Sequence, residues 1–328
     1  MKTGRTIVTV TPNPSLDRTV EVGRLIPGAV IRATAMREDP GGKGVNVARA
    51  LTANGVRACA VLPLGGRDGR LLADLLDDLV ADLVGDVGLR YRAVPVDTAT
   101  RSNVTVSEAD GTVTKLNVPG APLTPHAIAE LIDAAVAELP GAAWLVGCGS
   151  LPAGTPDDLY AALAERAHAA GVPVAVDTSG APLIHALAAG VELIKPNLAE
   201  LAELVDAPLA TLDEVVAAAH EVRRRGAHAV VVSLGANGAV LVGEGEPWLA
   251  VPPPVIARSD VGAGDTLLAG FLAAGASSPD ALRTAVAWGA AAVSLPGTEV
   301  PGPEQIDASR VVLRRAAGAQ VLVQQPTA

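Results

Sequence analysis

Ser259-Asp260-Val261-Gly262-Ala263-Gly264-Asp265-Thr266 is the stretch that decides how this chain is read. Two glycines and an alanine stand directly before Asp265, and the apolar run Leu267-Leu268-Ala269-Gly270-Phe271-Leu272 predicts a helix from there. A turn almost free of side chains that feeds a helix leaves backbone N–H groups open at the positive end of the helix dipole, which makes an anion site. An aspartate in that place repels a resting phosphate. It has a use if it faces a hydroxyl that attacks the phosphate and must lose its proton. Gly262, Ala263 and Gly264 as an anion hole, with Asp265 as the base, are the layout expected of a small-molecule kinase.

Outward from this stretch, strand-like and helix-like segments alternate. Ile7–Val10, Ala58–Leu62, Ala143–Val146, Val172–Val176, Glu192–Lys195 and Ala229–Val232 read as strands. Between them Val45–Asn54, Pro156–Ala170 and Leu212–Arg225 read as helices. Leu71, Leu72, Leu75, Leu76, Leu79, Val80 and Leu83 recur at helical spacing, with Asp74, Asp77, Asp78 and Asp82 on the opposite face. Alternation of this kind predicts a mostly parallel sheet covered by helices on both faces. Two regions break the pattern. Leu16–Arg37 has little helical period and several turn formers, and Tyr91–Val118 reads as antiparallel strands turning at Ala109-Asp110-Gly111. Together, about 16–37 and 91–118, they predict a small β lid, which would keep water from a transferring phosphate or form a dimer surface. Residues 1–318 are expected to form one domain and 319–328 a loosely ordered tail.

Hydrophobic residues make up 49% of the 328-residue chain but aromatics only 2%, so the core must be built from Ala, Val and Leu. A net charge of -10 leaves no broad basic surface for nucleic acid, and an anionic ligand must be met by locally placed cations. Cys59 and Cys148 lie in apolar runs and read as buried free thiols. No apolar run reaches membrane-spanning length and no signal core is seen, so no membrane partner and a cytoplasmic location are expected.

Further polar turns follow predicted strands. Pro40-Gly41-Gly42-Lys43-Gly44-Val45-Asn46 lets a ligand approach the backbone at a helix start, with Lys43 as a point charge and Asn46 as donor and acceptor. It has neither the spacing of a Walker A loop nor that of GxGxxG. Lys195-Pro196-Asn197-Leu198-Ala199-Glu200 reads either as a helix cap, with Glu200 closing a capping box on Asn197, or as Glu200 near magnesium through water beside nucleotide phosphates met by Lys195 and Asn197. Ser233-Leu234-Gly235-Ala236-Asn237-Gly238 reads as a nucleotide turn or an ordinary hairpin. Gly149-Ser150-Leu151-Pro152 and Asp177-Thr178-Ser179-Gly180 also end strands, where ligands bind in open α/β sheets. Asp17, after the first strand, could meet sugar hydroxyls, and Arg101, in Thr100-Arg101-Ser102-Asn103, could fork onto a phosphate.

In this order the blocks resemble the ribokinase-like phosphofructokinase-B family of sugar kinases, over roughly Ile7 to Pro303. The motifs Gly41–Asn46 and Asp260–Asp265 carry the likeness. Thr9–Asp17, Thr100–Val104, Gly149–Pro152 and Asp177–Gly180 are similar to the bacterial 1-phosphofructokinase branch, and Lys43 leans against the minor 6-phosphofructokinase branch, which often has glycine there. The resemblance implies a three-layer α/β/α ribokinase-like fold with a β lid, and ATP- and magnesium-dependent phosphorylation of fructose 1-phosphate. It implies Asp265 as base over the Gly262–Gly264 hole. It implies Asp17, Gly42, Lys43, Asn46, Arg101 and Asn103 at the phosphosugar, with Lys43 and Arg101 together on its existing phosphate. Lys195, Asn197, Ser233, Gly235, Gly238 and Gly264 would meet ATP, and Asn197 and Glu200 would serve the metal. Tagatose 6-phosphate or fructose 6-phosphate as acceptor, or a non-catalytic sugar-phosphate sensor, are the alternatives, and a homodimer through the lid is an expected partner. A nicotinamide oxidoreductase would need GxGxxG after the first strand. Asp260 departs from the family, which usually has Thr, Ser or Asn there.

Overall fold

The structure, a computed structural model, describes residues 4–81, 88–318 and 321. The chain opens with β1 (Ile7–Val10), β2 (Ser15–Val22), β3 (Ala35–Gly41), α1 (Lys43–Ala53), β4 (Ala58–Leu64) and α2 (Gly66–Ala81). It continues through β5 (Arg90–Pro95), β6 (Arg101–Glu108), β7 (Val113–Leu116), α3 (Pro125–Ala137), β8 (Trp144–Cys148), α4 (Leu159–Ala169), β9 (Val174–Asp177) and α5 (Gly180–Ala189). The last third holds β10 (Val191–Ile194), α6 (Leu198–Val205), α7 (Leu212–Arg224), β11 (Ala227–Ser233), β12 (Ala239–Val242), β13 (Trp248–Val251), α8 (Ala263–Ala273), α9 (Pro279–Val293) and β14 (Val312–Arg315).

One sheet has the order β14-β13-β12-β11-β10-β9-β8-β1-β4-β5. From β11 to β5 every neighbour pair is parallel, and β12, β13 and β14 add an antiparallel edge. Side-chain alternation sorts each strand onto two cores. On β11, Val230 and Val232 face α3–α7, while Ala229 and Val231 face α1, α2, α8 and α9. The central strands read as unbroken apolar runs because both of their faces are covered. This is the ribokinase-like three-layer fold that the sequence predicts. Its helices keep the predicted cores, with ends that move by up to three residues: the helix expected from Pro156 starts at Leu159. On α7 the ends are set locally. Thr211 and Glu214 form a capping box at its start, and Arg223 and Arg224 sit at its last turn.

The lid differs from its expected outline. The second sheet has the order β3-β2-β6-β7. Tyr91 does not open it: β5 pairs in parallel with β4, Ala60 opposite Tyr91 and Leu62 opposite Ala93, and extends the large sheet. Val94 explains this, because it packs into the same core as Val61. The lid's second part starts at Arg101, and its hairpin turns at Asp110-Gly111 as expected. Its first part is a full pair of strands, with β2 antiparallel to β3 and parallel to β6. Gly41, the first glycine of the motif before α1, is the last residue of β3 and pairs with Ser15. Arg18 ties the lid to α2 through Asp68 at 3.0 Å, and Arg37 ties it to Glu299 at 2.9 Å.

Cys59 and Cys148 are buried free thiols. Among the described residues no helix is long and apolar enough to cross a membrane. Apart from Val321, which bridges to Thr211, the tail expected at 319–328 lies outside the described residues, as does Leu83 of the α2 repeat.

Candidate active site

Parallel pairing of β1, β8, β9, β10 and β11 brings their carboxyl ends to one edge of the sheet. The loop after β1, Gly149 and Ser150 after β8, Asp177 at the end of β9, Lys195 after β10 and Ser233 at the end of β11 therefore meet there. The N-termini of α1 and α8 reach the same edge.

Asp265 lies in the first turn of α8 and is 6% exposed. Asn46 Nδ2, from α1, donates to its Oδ2 at 2.9 Å, joining the two glycine motifs at one point. Asn46 Oδ1 is buried with no partner and offers an acceptor beside the carboxylate. Burial and the nearby Asp177 charge raise the Asp265 pKa to about 6, against the pull of Lys43, Asn46 and Lys195. Gly262 caps α8 in the left-handed region at φ 75°, a conformation that favours glycine, and its empty side faces Asn46. At Gly264 a side chain would come within 3.3 Å of Lys195 Nζ, so a cation flanks the anion turn.

Asp177 links these groups. Its carboxylate is fully buried and meets Lys43 Nζ at 2.9 Å and Lys195 Nζ at 3.1 Å. Burial opposes its ionisation, but Lys195 and Lys43 outweigh burial and hold its pKa below the ordinary aspartate value. Lys43 also lies 3.7 Å from Glu200. Burial works against the Lys43 charge, yet Asp177, Glu200 and Asp265 raise its pKa above the usual lysine value.

A second polar group is built mostly from the lid. Asp17 on β2 accepts from Ser15 Oγ at 2.7 Å and from Asn103 Nδ2 at 3.0 Å. Burial raises its pKa despite those hydrogen bonds. A side chain at Gly41 would collide with the Asp17 carboxylate, which gives that glycine a packing reason of its own. Arg101 on β6 donates to Val118 O at 3.0 Å and Asn13 O at 3.2 Å, while its Nε is buried without a partner. Arg101 and Lys43 share no partner. Arg101 faces the Asp17 charge, and Lys43 faces those of Asp177, Glu200 and Asp265.

Asn197 and Glu200 form a complete capping box at the start of α6, with Asn197 Oδ1 accepting from Glu200 N and Glu200 Oε2 from Asn197 N, each at 2.8 Å. The other oxygen of Glu200 faces Lys43. Ser233–Gly238 is the connection from β11 to antiparallel β12, so the hairpin reading holds. It also lies beside the Asn197 turn, since Ser233 N donates to Pro196 O at 3.0 Å. A cavity of about 460 Å³ opens between the strap before α8 and α9, lined by Pro253, Val255, Ile256, Arg258, Ala287 and Ala291 among others.

Two residues of the site had weak sequence signals. Asp177 was visible only as a polar strand end, and its hold on two lysines is a tertiary fact. Asn13 donates to Ser150 Oγ at 3.1 Å and joins two strand ends. Asp260, unexplained by its neighbours in sequence, pairs with Lys115 Nζ at 2.7 Å.

Compared with known proteins, residues 11–305 match the family model described as pfkB family carbohydrate kinase. The chain is 38% identical over 308 residues to the 1-phosphofructokinase of Rhodobacter capsulatus, covering 92% of this chain and 95% of that one. It is 37% identical over 306 residues to the ATP-dependent 6-phosphofructokinase isozyme 2 of Mycobacterium tuberculosis (strain H37Rv), covering 92% and 88%. Among solved structures, phosphofructokinase-2 from Escherichia coli superposes with a TM-score of 0.84 at 37% identity, over 92% of this chain and 96% of that one.

Proposed function

Because the chain belongs to the pfkB family of carbohydrate kinases, a phosphotransferase family with alcohol acceptors, we propose that it transfers the γ-phosphate of ATP to the 6-hydroxyl of fructose 1-phosphate. The observation that carries the reading is Asp265, buried against Asn46 in the first turn of α8 with the Lys195 ammonium beside Gly264. Asp265 takes the proton of the attacking hydroxyl. Asn46 Oδ1 accepts from a neighbouring hydroxyl of the sugar. The backbone of Gly262–Gly264 and the lysines Lys195 and Lys43 draw charge from the transferring phosphoryl group. Arg101, with its unpartnered Nε, holds the phosphate already on the sugar, and Asp17 and Asn103 fix ring hydroxyls. The cavity between the strap and α9 takes the nucleobase.

The donor set fits magnesium that keeps most of its waters. Among the described residues no cluster of three His, Cys, Asp or Glu forms a metal cage, and the Glu200 oxygen outside the capping box lies 3.7 Å from Lys43, where a hydrated cation could share it. Magnesium when bound would neutralise phosphate charge. Glu200→Gln should raise the magnesium concentration for half-maximal rate and change sugar KM less. An unchanged magnesium curve with a lowered melting temperature would leave Glu200 as a cap alone.

Steady-state ADP release with fructose 1-phosphate, fructose 6-phosphate and tagatose 6-phosphate tests the acceptor. The highest kcat/KM should fall on fructose 1-phosphate, and a higher value on another sugar would replace it. Absence of turnover on all three would favour a sensor. In the same assay Arg101→Ala should raise phosphosugar KM by about one to two decades, the loss of one charged hydrogen-bonding partner of about 1.5–3 kcal/mol, with ATP KM little changed. Equal sugar KM for the two proteins would return Arg101 to a structural role between Asn13 and Val118. The lid leaves Met36, Val113 and Leu116 exposed, and a second copy of the chain would cover them.

A further inference from the structure

A carboxylate two residues before the anion turn works against a bound triphosphate, and Asp260 stands there. Its carbonyl accepts from Ala263 N at 3.4 Å, so residue 260 belongs to the turn that enters α8. Its side chain is 76% exposed and is met by Lys115 Nζ at 2.7 Å. Lys115 lies on β7, the edge strand of the lid sheet, and among the described residues that sheet shares no strand pairing with the large sheet. Among the described residues the other ion pairs between lid and body run to α2 and to the segment after α9. The counter-charge for Asp260 is therefore supplied by a different part of the molecule from the turn it protects, and by the same sheet that carries Asp17, Arg101 and Asn103.

We propose that Lys115 and Asp260 form a charge gate that ties nucleotide affinity to the position of the lid, a reading that rests on the kinase assignment above. With the lid down, Lys115 screens Asp260 and the anion turn accepts phosphate. With the lid raised, Asp260 stands unscreened beside the turn and weakens phosphate binding. The free protein samples both positions, and a phosphosugar held by Arg101, Asp17 and Asn103 raises the lid-down share, so it tightens nucleotide binding without touching the nucleotide. The gate thus favours ATP when an acceptor is present.

The test is a double-mutant cycle read by calorimetric titration of adenylyl imidodiphosphate with magnesium chloride. Lys115→Ala should weaken analogue binding by about two- to fivefold, the scale of one solvent-exposed ion pair. The same change made on Asp260→Ser should have no effect, because nothing is left to screen. Equal loss in both backgrounds would make Lys115 a direct phosphate ligand and overturn the gate, as would no loss in either. In a second arm, fructose 1-phosphate should tighten analogue binding to the wild type, and this gain should shrink by about two- to fivefold in Asp260→Ser. An undiminished gain in that variant would overturn the coupling. The first arm needs no acceptor, so it stands if another sugar proves to be the substrate. Failure of the wild type to bind the analogue at all would instead sink the kinase reading.

Discussion

Asp265→Asn lowers kcat by about 10²–10⁴-fold while the protein still folds and binds ATP. The change is nearly isosteric and leaves the anion turn intact; it removes the proton acceptor. Because burial and Asp177 lift the Asp265 pKa to about 6, the wild-type kcat/KM should fall below about pH 6 as the carboxylate takes up one proton. That acid limb should vanish in the variant's residual activity. The stability effect runs the other way. The folded-state pKa of Asp265 is raised from 3.8 to about 6, so its contribution is present below about pH 4 and is lost as pH rises through about 6. At pH 8 the Asn variant should melt no lower than the wild type. Near-full kcat in the variant would remove Asp265 as the base, and the mechanism with it.

Asp177→Ala should have the largest effect on stability. Lys195 is only 5% exposed, and Asp177, fully buried, is the carboxylate that meets it. Removing one partner of a buried ion pair leaves the other charge uncompensated, at a cost of about 3–5 kcal/mol. Lys43, at 36% exposure and still near Glu200, softens the loss on its side. Chemical denaturation should show a lower midpoint at an unchanged slope. If enough activity remains to follow, the acid limb should move to lower pH, because one anion that raises the Asp265 pKa is gone. A midpoint equal to the wild type would mean that the two lysines need no buried partner.

Both variants touch groups whose visibility in the sequence differed. Asp265 could be read directly. A glycine-rich turn before an apolar helix has few physical uses, and an acidic residue at that spot narrows them further. Asp177 could not. Its neighbours Thr178, Ser179 and Gly180 marked a strand end, but nothing local announces two lysines converging from Lys43 and Lys195. Glu200 shows the opposite limit. Its spacing from Asn197 satisfied two readings at once, and the structure displays the capping box while turning the second oxygen toward Lys43.

What the sequence determined by itself is everything set by local period and turn chemistry. Alternating apolar strands and amphipathic helices require a covered parallel sheet, and the side-chain-poor turns at strand ends mark where a ligand can approach backbone. Only the tertiary structure decided which sheet a strand joins and which charges meet. Tyr91–Pro95 has a pattern that suits either sheet, and the packing of Val94 with Val61 assigns it to the large one. Lys43 meets Asp177 and Glu200, and Asp260 meets Lys115 across 145 positions of chain. Backbone propensity acts over a few residues, whereas charge pairing depends on distance in space, which the folded topology alone sets.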